Sequence, residues 1–299
     1  MLTEQSNASL DKLRSRLSGI SNLPTPPVVF NQITKIINNP NTSVNELADI
    51  MSEDAAMSAK VLRLSNSAFY GARSEITGIR QAVLVLGLEA IKSLVLSSSV
   101  IDMFKPHKME AEYQENFWRH SLATALASRI IVRFHRMARG LDSEVSFSAG
   151  LLHDIGKLII CCFFKEEHEE IEMLKEDNNM SDFQAETTAA GFSHCLVGRV
   201  LAENWKLPAV IRDAIEHHHF PDKVAKDGAN YAVVVHIANY LAKKAFDRKL
   251  RDFDDWNHLQ PEIVEDYGLT DEVIEAFCQQ LLEDYAKSST FMQMVTGAA

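Results

Sequence analysis

Glycine and proline are both scarce in this chain, 12 and 8 among 299 residues. With so few helix breakers, long helices joined by few tight turns are expected. Sustained alternation of apolar and polar residues, the signature of a half-buried strand, is missing. Long apolar runs are missing too. Ala82–Leu88 and Leu158–Phe164 fall far short of the roughly 20 residues that cross a bilayer, and Glu89 and Lys92 interrupt the stretch from Val83 to Ile101. Basic residues are in deficit, 30 Lys and Arg against 41 Asp and Glu, for a formal charge of −11. That balance argues against a nucleic acid polymer as the main partner, because phosphate contacts need cations. The polar start, Met1 to Ser6, lacks the apolar core of a signal peptide. A cytoplasmic protein with no membrane partner is expected. Cysteine is sparse as well: Cys161, Cys162, Cys195 and Cys278 show no CxxC spacing and read as reduced thiols.

What the chain does contain is helical periodicity almost throughout. Leu10, Leu13, Leu17 and Ile20 make an amphipathic opening helix, which Leu23-Pro24-Thr25-Pro26-Pro27 breaks. A helix carrying Val28, Val29, Ile33, Ile36 and Ile37 follows. Ser43 and Glu46 have capping-box spacing, and Gly87 hinges two further helices. Pro106-His107-Lys108 is the best boundary, which divides the chain into an N-terminal helical part, 1–108, and a second part, 109–299. A single apolar helix is expected from Ser143 to Phe164, and Lys165 to Glu170 read as the solvated face of the next. The fold class is all-α: a multi-helical bundle with an additional N-terminal helical subdomain packed against it as a wall of the same core, since each helix there has an apolar face to cover.

The residues with most chemistry are Ala149-Gly150-Leu151-Leu152-His153-Asp154-Ile155-Gly156-Lys157. An unpaired carboxylate within so apolar a segment is costly, and His153 with Asp154 offers an N/O ligand pair suited to Fe, Mn, Zn, Ni or Co. Gly156 lets backbone approach a ligand, and Lys157 places a cation beside an anionic one. His120, His194, His217 and His218 can converge on the same place. Consecutive residues fan by about 100° around a helix, so at most two of His217, His218 and His219 face one site: His218 first, then His217, with His219 exposed. Cys195 reads as core filler before thiolate ligand. A buried His–Asp hydrogen bond, an interface histidine at 120 and a helix-terminal histidine cluster are the structural alternatives.

Together these residues resemble the HD superfamily of metal-dependent phosphohydrolases, and more closely its HDOD branch, the HD-related output domain of bacterial signalling proteins. The likeness spans roughly residues 20–245. It rests on Leu23 to Pro27, Glu53 to Ser67, Ile79 to Val83 with Leu86-Gly87, Trp118-Arg119-His120, Ala149 to Lys157, Trp205 to Pro208 and Ala214 to His218. The resemblance implies an HD-like bundle with His120, His153 and Asp154 as the first three metal ligands. The fourth is normally an aspartate, and Asn239 stands in its place, bringing no charge. His194, His217 and His218 match additional ligands of the cyclic-dinucleotide phosphodiesterase branch. That branch's Gly-Tyr-Pro loop is replaced here by His219-Phe220-Pro221-Asp222-Lys223. The implied function is a non-catalytic output module working through protein contacts, with one or two divalent ions (Fe, Mn, Zn or Ni) or none. Its partners would be a signalling protein and a small phosphorylated ligand. The alternatives are a phosphohydrolase, in which Lys157 contacts the phosphate in the transition state, and a metal-binding sensory or structural module.

Overall fold

The computed structural model describes residues 2–20, 23–24, 31–32, 34–35, 39, 43–105, 107, 109–178, 180–224, 230–246 and 259–296. Among these no strand occurs, and the chain is all-α. The apolar residues Val28, Val29, Ile33, Ile36 and Ile37, together with Thr25, Pro26, Pro27, Pro106 and Lys108, lie outside the described residues.

The N-terminal helices are α1 (Leu2–Ser18), α2 (Val44–Ser52), α3 (Ala55–Ser65), α4 (Ile79–Leu86) and α5 (Leu88–Phe104). Ser43 caps α2 by accepting from the Glu46 amide at 3.1 Å, and Asp54 caps α3 through the Met57 amide at 2.9 Å. Such caps satisfy amides that have no partner inside the helix. Between α4 and α5 the chain bends by 119° at Gly87, whose φ of +93° is open to glycine and strained for other residues.

The second part opens with α6 (Ala111–Phe134), flanked by α7 (Ser143–Leu152) and α8 (Ile155–Phe163). The single helix expected from Ser143 to Phe164 is interrupted, and the interruption is His153-Asp154 itself. Beyond it run α9 (Lys165–Asn178), α10 (Asp182–Ala189), α11 (His194–Asn204), α12 (Ala209–His217) and α13 (Tyr231–Phe246). Finally come α14 (Pro261–Tyr267), α15 (Asp271–Ala286) and α16 (Ser289–Thr296). The apolar core is one continuous cluster, from Leu10 on α1 to Phe291 on α16.

Two contacts tie distant sequence motifs together. The indole Nε1 of Trp205 donates to the Pro24 carbonyl at 3.2 Å. Arg129, buried on α6, pairs with Glu144 of α7 at 2.7 Å and lies 4.6 Å from the ring of Phe69, in the segment after α3. A desolvated guanidinium held by a carboxylate and an aromatic face pins that segment onto the bundle. By length and composition Ser143–Phe163 is apolar enough to cross a membrane, but 78% of that window is buried inside the protein, as in a core helix.

Candidate metal centre

Close helix packing builds the site. A Cβ added at Gly150 would sit 2.9 Å from both the Thr124 carbonyl and the Ala125 Cα, so α7 lies hard against α6, the helix that carries His120. At Gly156 a Cβ would fall 2.0 Å from the His194 carbonyl oxygen. The expectation that Gly156 admits a ligand is therefore corrected: it admits the backbone of α11, and so sets the place of His194. Ser193 caps α11. Glu186 of α10 accepts from the His194 amide at 2.7 Å and faces its Nδ1 at 2.6 Å.

Asp154 is the hub. Its Oδ2 lies 3.3 Å from His153 Nε2 and 3.7 Å from His120 Nε2, and its Oδ1 lies 3.2 Å from His194 Nε2 and 3.5 Å from His218 Nε2. Hydrogen bonding fixes the tautomers of three rings. Nδ1 of His153 donates to the Gly150 carbonyl at 2.7 Å, and Nδ1 of His218 donates to the Ile215 carbonyl at 2.9 Å. Nδ1 of His194 donates to Glu186. In the neutral form His153 and His218 have one N–H each, so their Nε2 atoms present lone pairs toward an acceptor carboxylate, whereas His194, held protonated by its neighbours, carries a proton on both ring nitrogens. His120 Nε2, His153 Nε2 and Asp154 Oδ1 are buried without a hydrogen-bond partner. Lone pairs crowded on lone pairs are costly unless a cation sits among them. The donor set fits a divalent transition metal, with N and O ligands whose far nitrogens are already anchored.

The charges agree. Burial, reinforced by His153, holds His120 neutral well below the usual histidine range. Burial likewise pushes His218 down to about 3, although Asp154 opposes it. Burial and the neighbouring His218 and His194 hold His219 well below that range. His194 is the exception: burial disfavours its charge, but Cys195, Glu186 and Asp154 outweigh burial and raise it well above the ordinary value. Burial would raise Asp154, yet His153, Lys157 and His194 keep it ionised. Without metal, then, protonated His194 and Lys157 are the cations nearest the carboxylate.

A cavity of about 360 Å³ opens over one side of this hub, with His120, Asp154, Lys157, Lys175, Asp182 and Tyr113 in its wall. Lys157 Nζ lies between Asp154 at 2.9 Å and Asp182 at 2.7 Å, and Lys175 Nζ reaches Asp182 at 2.9 Å.

The structure gathers His120, His153, Asp154, His194 and His218 and places His217 apart from them, half-buried with its Nε2 3.6 Å from Glu216. His219, expected to be exposed, is 6% exposed, with its Nε2 3.2 Å from that of His194. The chain turns after His217, the last residue of α12, so the spacing of a continuous helix no longer applies. Cys161 and Cys162 are half-buried, and all four cysteines are free thiols, as expected. Asn239, on α13 along α6, has a buried Oδ1 without a hydrogen-bond partner. Sequence reasoning missed Glu186, Asp182 and His236, whose Nδ1 donates to the His218 carbonyl at 2.8 Å. The one available signal was the Ser181–Gln184 capping box, which sets Asp182 at the start of α10.

Residues 23–221 match the model of the HDOD domain. The chain belongs to the HDOD family. An HDOD domain protein of Geobacter sulfurreducens shares its fold with a TM-score of 0.72 and 27% identity, covering 98% of each chain. A protein of Marinobacter aquaeolei, named for signal transduction, superposes with a TM-score of 0.76 at 18% identity, over 98% of this chain and 65% of its own. Among curated relatives, ribonuclease Y of Mycoplasma mycoides is 26% identical over 193 residues, 61% of this HDOD chain and 38% of that enzyme. The HDOD chain thus spans well under half of that relative's length.

Proposed function

We propose that this chain is a cytoplasmic bacterial signalling module that holds one or two divalent transition metals and acts through contacts with a signalling protein, without turnover. The observation that carries the metal reading is the convergence of His120, His153, His194 and His218 on Asp154, with Nε2 of His120 and of His153 and Oδ1 of Asp154 buried without a hydrogen-bond partner. Two features support the absence of turnover. Asn239 brings an amide where the resemblance calls for a carboxylate. Lys157 is engaged by two carboxylates and is not free to meet a phosphate. The cavity over His120 would admit a small phosphorylated ligand as input, provided that ligand displaces Asp182 from Lys157 and Lys175.

A second reading, hydrolysis of a phosphodiester, is favoured by the opening of that cavity onto Asp154 and by the ribonuclease Y relatives. When bound, a divalent ion supplies Lewis acidity toward a phosphoryl oxygen and acidifies water. The chain's own part would be to hold the phosphate against Lys157 once Asp182 releases it, with His120 at the cavity wall.

Elemental analysis of untagged protein beside His153→Ala and Asp154→Ala, followed by incubation with linear dinucleotides and single-stranded RNA, tests both readings. One or two equivalents of metal, lost in both variants and with no turnover, is the expected result. Turnover abolished in His153→Ala moves the conclusion to the second reading. Folded parent protein without metal overturns both.

A further inference from the structure

We propose that Cys195 is a metal ligand, forming with His194, His218 and His219 a sealed site of three nitrogens and one sulfur behind Asp154. This rests on the cluster being a metal centre and goes further, since the thiol has no counterpart among the ligands implied by the family resemblance. His194, Cys195, His218 and His219 each offer a ligand atom, all within 4.8 Å of one another. The spacing is finer than that limit. His194 Nε2 lies 3.3 Å from His218 Nε2, 3.2 Å from His219 Nε2 and 3.4 Å from Cys195 Sγ. Tetrahedral coordination at ordinary zinc–nitrogen and zinc–sulfur bond lengths sets donor atoms roughly 3.3–3.6 Å apart. The distances from His194 to the other three donors stand near that separation, and the remaining pairs lie within 4.8 Å.

The Asp154 carboxylate points into the same space. Asp154 Oδ1 is buried and lacks a hydrogen-bond partner, and it faces His194 and His218 at 3.2 and 3.5 Å. Cys195 as mere core filler would turn its sulfur to apolar neighbours, yet Sγ approaches an imidazole nitrogen.

Exposure separates this set from the rest of the hub. His194, Cys195, His218 and His219 are 0, 4, 0 and 6% exposed, and none of them lines the cavity that His120 and Asp154 border. Four protein ligands with no open position make a holding site, whereas a site that admits a ligand must leave a position free. Thiolate with three imidazoles selects zinc, cobalt or iron over manganese or magnesium. A thiol that becomes a thiolate ligand gives up its proton to solvent as the metal binds.

Cobalt(II) reports the sulfur directly. Metal-free, full-length protein is titrated with cobalt(II), bound metal is counted by elemental analysis, and the near-ultraviolet sulfur-to-cobalt charge-transfer band is followed. The band is expected in the parent and in His120→Ala, and its loss is expected in Cys195→Ser that circular dichroism shows to be folded. Cobalt bound by the parent without the band overturns the thiolate ligand while leaving the metal centre intact. A band that persists in Cys195→Ser places the sulfur elsewhere and likewise overturns it. No cobalt bound by folded parent overturns the metal centre and this inference together.

Discussion

The two sides of Asp154 differ in what surrounds them. Its Oδ2 faces His120, whose side chain is 25% exposed, and His153, and this side meets the cavity. Its Oδ1 faces His194 and His218, both fully buried, with His219 and Cys195 packed against them. The same carboxylate thus borders one region that a ligand can enter and one that it cannot. Burial also sets the charge state. Desolvation keeps His120 on one side and His218 on the other neutral and ready to bind metal; His194, beside Glu186, carries a proton of its own. The difference teaches that the residue types of a ligand set do not say which part meets substrate; the packing of α8 on α11 does.

The largest effect is expected where the two sides join. Asp154→Ala removes a carboxylate shared by four histidines and strips Lys157 of one of its two partners. Breaking a buried ion pair from one end costs about 3–5 kcal/mol, and Asp182, still beside Lys157, keeps the loss near the lower figure. Denaturant unfolding of metal-free protein measures it. Elemental analysis should find no metal on either side, and metal retained in full would remove Asp154 from its place as hub.

A more selective break comes from Gly156→Ala. The added methyl would meet the His194 carbonyl and the Gly198 amide, both backbone atoms that cannot swing aside. Overpacking of this kind costs about 1–3 kcal/mol, and the relief must push α11 away from α8. The sealed side should lose its metal while the cavity side keeps its own, which elemental analysis would read as a fall of one equivalent. Equal loss from both sides would show that the two are not separable.

Glu186→Gln tests the same side without moving backbone. The carboxylate accepts from both the amide and Nδ1 of His194, and an amide at that place weakens the hold on the tautomer. Loss of such a supporting partner lowers metal affinity by roughly 10–100-fold. A competition assay with a chromophoric chelator measures it, and unchanged affinity would remove Glu186 from the site.

Much of the fold is legible in the sequence. Scarce glycine and proline with unbroken helical periodicity gave an all-α chain, and the bend at Gly87 followed from a glycine between two apolar runs. The reading failed where local spacing yields to a break in the helix. Ser143 to Phe164 looks continuous because its apolar residues run through the His153-Asp154 step, yet the chain turns there. His219 was misjudged for the same reason: fanning by about 100° per residue assumes a helix, and α12 ends at His217. Glu186, Asp182 and His236 left little trace, because a carboxylate that orients a histidine from another helix has no sequence spacing to betray it.

The smallest change sharpens the cavity side. Asn239 lies on α13 with its Oδ1 buried and unpartnered, and Asn239→Asp would add a formal charge with almost no change in shape. A hydrogen bond to a charged group contributes roughly 1.5–3 kcal/mol against about 1 for a neutral one, less the cost of burying the charge. Affinity for the metal beside His120 should therefore tighten on the order of tenfold, and the sulfur-to-cobalt band, which belongs to the other side, should not change. Without metal the sign reverses, since desolvating the new carboxylate then outweighs what it gains: Asn239→Asp should unfold at lower denaturant than the parent when metal-free and at higher denaturant when loaded. If the variant gains phosphodiesterase activity that the parent lacks, the amide is what keeps this site from turnover. If it binds metal no more tightly, Asn239 does not face the metal, and the cavity side must be completed by another group.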